Sequence, residues 1–235
     1  MFGNALRTGL TWALIVFSTA AQAHDASSHK SSMNASKDAR TEFAFPLPIP
    51  GSYELPSIMR AAGGLVLDEK GDSHDLDEIL RDRITVLAFI YTRCGDVCPT
   101  ASLQLSLLQD LAAETPEVAN RLRLLSMSFD PDYDTPPVMA QYARIWRSQK
   151  RDAPEWQFLT AANRVALTPL LVAYNQSIGP KTDRGLFTTG YYHIFRAFLI
   201  DRAGQVRNIY SLDFLDPKLV VTDIETLLLE DKLER

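Results

Sequence analysis

The alternation of apolar and polar positions predicts a chain of strands and helices from about residue 60 onward. Residues 64–68 (GLVLD) read as a short strand closed by a turn at Glu69-Lys70-Gly71-Asp72. Residues 84–91 (ITVLAFIY) form an unbroken apolar run rich in β-formers. That is the pattern of a strand covered on both faces in the middle of an α/β sheet. Pro99 opens an expected amphipathic helix with Leu103, Leu107, Leu108 and Leu111 on its inner side. Residues 122–129 (LRLLSMSF) give the next strand. Asp134 and Thr135 offer caps for a helix from Pro136-Pro137 that turns Met139, Tyr142, Ala143 and Trp146 inward.

A short strand at 156–159 follows, then a helical stretch capped by Thr160 that Pro169 is expected to kink or restart. Residues 194–201 and 205–211 form a hairpin across Arg202-Ala203-Gly204. Asp216-Pro217 starts a terminal helix with Leu219, Val220, Ile224, Leu227 and Leu228 inward. The order β-β-α-β-α-β-α-β-β-α implies an α/β fold: a mixed sheet with helices on both faces.

The N-terminus breaks from this pattern. Arg7 is the sole charge in the first 23 residues, an apolar run follows, and Ala21-Gln22-Ala23 supplies the small-x-small pattern of a cleavage site. The run is shorter than the roughly 20 apolar residues of a membrane span. Residues 1–23 are therefore expected to be an export signal rather than a retained anchor. Export would place the domain in an oxidising compartment, the periplasm. Residues 24–45 read as a polar, disordered tether, in which His24, His29 and Met33 could catch a metal ion, the plainer expectation being a solvated tail with incidental histidines. Residues 45–56 hold four prolines and predict an extended lead-in strapped onto a domain spanning 46–235.

Composition narrows the function classes. With 46% hydrophobic and 23% charged residues the chain can bury a core, and its net charge of −5 offers no basic stripe for nucleic acid. Two cysteines cannot build a dense disulfide scaffold.

Those two, Cys94 and Cys98, lie in YTRCGDVCPT (residues 91–100), where the buried strand runs into its helix. A strand, a Cys-bearing loop and a helix in that order are the thioredoxin-like arrangement. A helix N-terminus stabilises a thiolate, and Arg93 adds a neighbouring positive charge. Three chemistries stay open: a structural disulfide across a five-residue loop, dithiol exchange, or a soft metal held by two thiolates and a third ligand. Of four histidines, two lie in the tether and His74 in an acidic surface stretch. His193, in YYHIFRAFLID after a loop holding Gly185 and Gly190, is the candidate third ligand; a histidine satisfied by backbone is the alternative.

Three segments resemble the Sco/SenC family in the right order: YTRCGDVCPTASLQLSLLQDL, SFDPDYDTPPVMAQYA at 128–143, and His193 ahead of AFLIDRAGQVRNIYS. The resemblance implies a thioredoxin-like domain with one copper ion, Cu(I) or Cu(II), bound through Cys94, Cys98 and His193. It also implies a membrane-proximal chaperone that serves the copper centre of cytochrome c oxidase, or another copper or thiol protein. The alternative it carries is a thiol–disulfide reductase, with Cys94 as exposed nucleophile and Cys98 as resolving thiol. Asp130, in the matching SFDP segment, is either an oxygen donor, a supporting partner behind the ligands, or a turn-forming residue before Pro131. Gly95 stands where many relatives have proline. Tyr192 and Ile194 replace the Asp and Ser/Thr that often flank the family's histidine.

Overall fold

The computed structural model describes residues 46–183 and 186–233, and side chains throughout except at 181–189. The expected signal, the tether with His24, His29 and Met33, and Gly185 all lie outside the described residues.

The apolar run near residue 84 becomes β4 (Ile84–Ile90), in which every residue is buried. A strand with no exposed position needs cover on both faces, which fixes it in the interior of the sheet. It pairs in parallel with β5 (Leu122–Ser128), from Ile84 opposite Leu122 to Ile90 opposite Ser128. β5 pairs in parallel with β6 (Glu155–Leu159). On its other side β4 meets β9 (Ala197–Ile200) antiparallel, with Val86 opposite Leu199. The hairpin partner β10 (Gln205–Tyr210) and the short β1 (Met59–Arg60) complete a six-stranded mixed sheet in the order β1-β10-β9-β4-β5-β6. At the β9–β10 turn Gly204 has φ +76°, and Asp201 accepts from the amides of Ala203 and Gln205.

Two further two-stranded ladders lie outside this sheet: β2 (Leu65–Leu67) with β3 (Ser73–Asp75), and β7 (Ile178–Asp183) with β8 (Leu186–His193). Sequence periodicity anticipated β2 but neither β3 nor the β7–β8 ladder. Polar, Gly-containing segments such as IGPKTD carry no apolar alternation to betray a strand. His193 therefore sits at the end of a strand, not in a loop.

Six α-helices are described: α1 (Leu76–Ile79), α2 (Val97–Ala112), α3 (Pro116–Ala119), α4 (Pro136–Trp146), α5 (Arg164–Ala173) and α6 (Pro217–Leu233). α2 packs against α6 and α4. Its inner face is Cys98, Ala101, Ser102, Leu105, Leu108, Gln109 and Ala112. Leu103 and Leu107, expected inside, are 48% and 46% exposed. The inner stripe mixes small and polar residues with two leucines, so counting leucines alone points to the wrong side of the helix.

Asn163, not Thr160, caps α5, accepting from the amide of Ala166. Thr160 instead bridges to Leu67. Pro169 lies within α5 as one continuous helix. The carbonyl its missing N–H would have met belongs to Val165, an exposed residue, where water can serve.

The proline-rich lead-in is strapped down as expected. Gly51 donates to Thr226 Oγ1 at 3.1 Å, and the hydroxyl of Tyr53 donates to the buried Asp223. Asp223 also accepts from Tyr210 and Asn208, joining strap, sheet and α6 at one carboxylate.

Candidate metal centre

β4 delivers the chain to Tyr91, and a tight turn follows in which the Cys94 amide bonds to the Tyr91 carbonyl at 3.2 Å. α2 begins at Val97, so Cys98 is its second residue and Pro99 its third. The first-turn amides of a helix have no partner within it. The Cys98 amide finds one in the Cys94 sulfur, 3.4 Å away. The two cysteines are not joined by a disulfide.

This placement separates the two thiols electrostatically. Cys94 is lowered from an ordinary value near 9 to about 5, first by the hydrogen bond from the Cys98 thiol. The amides of Cys98 and Asp96 and the Tyr91 hydroxyl add to this, against the opposing effect of burial. Cys98 is pushed far up, because its proton is held by Cys94 and its sulfur is buried. Both are shielded, Cys98 fully and Cys94 at 7% exposure, so the expected exposed nucleophile is only the less buried of two. Arg93 is engaged by the neighbouring turn. Its guanidinium bonds to Asp130 at 2.7 Å and lies 4.2 Å over the Tyr133 ring.

The loop is held from beneath by the 128–134 turn. Asp134, fully buried, accepts from the Thr92 amide at 3.0 Å, from the Thr92 hydroxyl, and from Ser128 Oγ at 2.5 Å. Thr135 is the capping residue of α4, without a side-chain bond, while Asp134 anchors the cysteine loop instead. Burial raises the Asp134 carboxyl above its usual range despite those donors.

Asp130 is a junction of another kind. Its 1%-exposed carboxylate takes Arg93 on one side, and Arg164 (3.3 Å) and the Tyr191 hydroxyl (3.2 Å) on the other. It links the cysteine loop, α5 and β8.

His193 stands on β8 with its ring 4.6 Å from Phe129 and 6.5 Å from Tyr91, edge to face with the latter. Phe129 and Tyr91 are themselves 5.0 Å apart. The fold thus brings Cys94 and Cys98 together and sets His193 beside Phe129 and Tyr91. Among the described residues no three His, Cys, Asp or Glu side chains gather closely enough to hold a metal ion. His74 lies apart, on β3, paired with Asp68 at 3.0 Å. Gly95 faces open space, so no neighbour demands the absence of a side chain there.

Sequence reasoning missed Tyr91 and Tyr191 altogether. The Tyr91 hydroxyl donates to the Tyr191 carbonyl at 3.2 Å and accepts from the Tyr191 amide at 3.1 Å. The only hint was a hydroxyl at the end of an otherwise apolar strand.

A family model described as SCO1/SenC matches residues 66–229. A curated relative from Stutzerimonas stutzeri, named as a candidate copper-binding protein, is 34% identical over 90 residues. That match spans 38% of this chain and 43% of the relative, less than half its length. Among solved structures, copper-bound ScoI of Arabidopsis thaliana superposes with a TM-score of 0.61 at 16% identity, over 72% of this chain and 98% of that one. BsSco, described as a member of the Sco family of cytochrome c oxidase assembly proteins with a disulfide switch, gives 0.56 at 20% identity, over 73% and 95%. The fold is the thioredoxin-like one of these proteins.

Proposed function

The chain belongs to the SCO1/SenC family, and we propose that it is a copper metallochaperone. In this reading it carries one copper ion as cargo on Cys94 and Cys98, with His193 as the third ligand. The observation that carries the reading is the pair of sulfurs converging at the first turn of α2, with the Cys98 amide on the Cys94 sulfur. Two thiolates and an imidazole form a donor set suited to Cu(I), and Cu(II) would accept the same set with an added oxygen donor. His193 would reach the sulfurs by movement of the β7–β8 hairpin, while Asp130 and Asp134 hold the loop in shape. The copper centre of cytochrome c oxidase is the proposed recipient, with another copper or thiol protein as the alternative. An export signal at residues 1–23 would put the encounter in the periplasm.

The division between the two thiols supports a second reading, a thiol–disulfide reductase. The Cys94 thiolate would attack a partner disulfide, forming a mixed disulfide and releasing one partner thiolate, which takes a proton. Cys98, losing its proton, would then attack Cys94, releasing the second partner thiol and leaving a Cys94–Cys98 disulfide. Because both sulfurs are buried, this route needs the loop to open.

Titration of the reduced protein with Cu(I) against a competing chelator separates the two. One-to-one binding that weakens about 10-fold or more in His193→Ala supports the three-ligand chaperone. Weak binding, or binding indifferent to His193, overturns it and leaves the reductase.

A further inference from the structure

We propose that Arg164 is a positioning residue for the copper site: its guanidinium pins the Tyr191 hydroxyl to the 128–134 turn, and so fixes the strand that carries His193. The inference rests on the copper reading for its purpose and on the contacts of Arg164 for its physics.

Arg164 is the first residue of α5, directly after the capping residue Asn163. A cation there faces the positive end of the helix dipole, which favours an acid at that position. Its contacts supply the compensation. Nε donates to Asp132 at 2.8 Å, and Nη2 donates to Asp130 at 3.3 Å and to the Tyr191 hydroxyl. The Asp132 side chain is 64% exposed, so that ion pair adds little by itself and serves to orient the planar fork. Asp130 is buried, but Arg93 already meets its charge at 2.7 Å. A second guanidinium is not needed to balance one carboxylate. What Arg164 adds is the link to Tyr191, whose hydroxyl donates to Asp130 at 3.2 Å while its oxygen accepts from Arg164. The phenol is thus held on both its donor and its acceptor side.

Tyr191 and His193 stand two apart on β8, hence on one face of the strand. Both rings rest on the same pair of aromatic residues. Tyr191 lies 5.4 Å from Tyr91 and 6.0 Å from Phe129, and His193 lies 6.5 Å and 4.6 Å from them. Their neighbours Tyr192 and Ile194 are exposed, so burial on the other side does not hold the strand. The clamped hydroxyl of Tyr191 therefore gives the hairpin a pivot and limits the range over which His193 swings. A ligand confined before the metal arrives loses less freedom on binding.

Competition titration with Cu(I) tests this in a cycle of wild type, Arg164→Ala, His193→Ala and the double variant. Arg164→Ala should weaken binding about 5- to 10-fold where His193 is present and no further where it is absent, because it acts through that ligand. A general loosening of the fold would weaken both backgrounds alike. Equal weakening in both, or none in either, would overturn the proposal and leave the copper reading standing. Tyr191→Phe keeps the ring and loses the hydroxyl, so it should repeat the loss, and unchanged binding in it would also overturn the proposal. It takes the place of Arg164→Ala should that variant fail to fold. If the wild type binds no Cu(I), or binds it indifferently to His193, the copper reading falls and the clamp is read without metal. Amide exchange over residues 190–193 should then be about 3- to 10-fold faster in Arg164→Ala than in wild type, with β4 and β5 unchanged. Exchange unaltered on the hairpin, or faster throughout the sheet, would refute the clamp as well.

Discussion

The backbone amide of Cys98 donates to the sulfur of Cys94 across 3.4 Å, at the first turn of α2. The Cys98 thiol donates to the same sulfur, and the two bonds together make Cys94 acidic while Cys98 keeps its proton. A helix N-terminus supplies such amides wherever it meets a sulfur.

The pH dependence of the reduced protein follows. Cys94 is depressed in the folded state to about 5, below its unfolded value near 9. Its contribution to stability is complete above the unfolded value and is lost as pH falls through the folded one. Cys98 is raised, so its contribution is present below the unfolded value and declines as pH rises above it. Denaturant midpoints of the reduced protein should therefore climb from pH 5 toward pH 9 relative to Cys94→Ser and level off beyond it. A difference between the two proteins that stays flat over this range would contradict the assignment.

Asp134 is expected to act on the loop, not on the helix it was predicted to cap. Asp134→Ala would leave the Thr92 amide and the Ser128 hydroxyl buried without their acceptor. The expected loss is at least about 2 kcal/mol in equilibrium unfolding. Because the side chain makes no capping bond to α4, the helical circular dichroism of the folded variant should be unchanged.

The face of α2 can be checked by paired truncations. Leu105 is fully buried and Leu103 is 48% exposed. Leu105→Ala should cost about 2 to 5 kcal/mol, and Leu103→Ala no more than about 0.5. Chemical unfolding of both variants distinguishes this from the arrangement that leucine spacing alone suggests, in which Leu103 would be the costly one.

Much of the fold was legible because it depends on local pattern. A seven-residue run with no polar break, ITVLAFI, has few ways to escape water other than as a central strand. The Asp201-Arg202-Ala203-Gly204 turn announces its hairpin through its glycine and its side-chain acceptor. The cysteine pair was legible too, since spacing and position at a strand–helix junction limit its chemistry. Where reading failed, the deciding interaction was remote in sequence. Leu103 and Leu107 looked buried until α4 and α6 chose the other side of α2. The β7–β8 ladder is held by pairing between Gly179 and Tyr192 and between Ile178 and His193, not by an apolar stripe.

Local chemistry in the chain therefore settled the interior strand, the β9–β10 hairpin and the place of the two cysteines at a strand–helix junction, because each follows from residues within a few positions of one another. Tertiary structure decided the rest. Asp134 became the anchor of Thr92, Asp130 the junction of Arg93, Arg164 and Tyr191, and Tyr91 the neighbour of a hairpin 100 residues away. A buried carboxylate or phenol takes whichever donors and acceptors the fold brings within about 3 Å, and that distance is set by packing between distant segments.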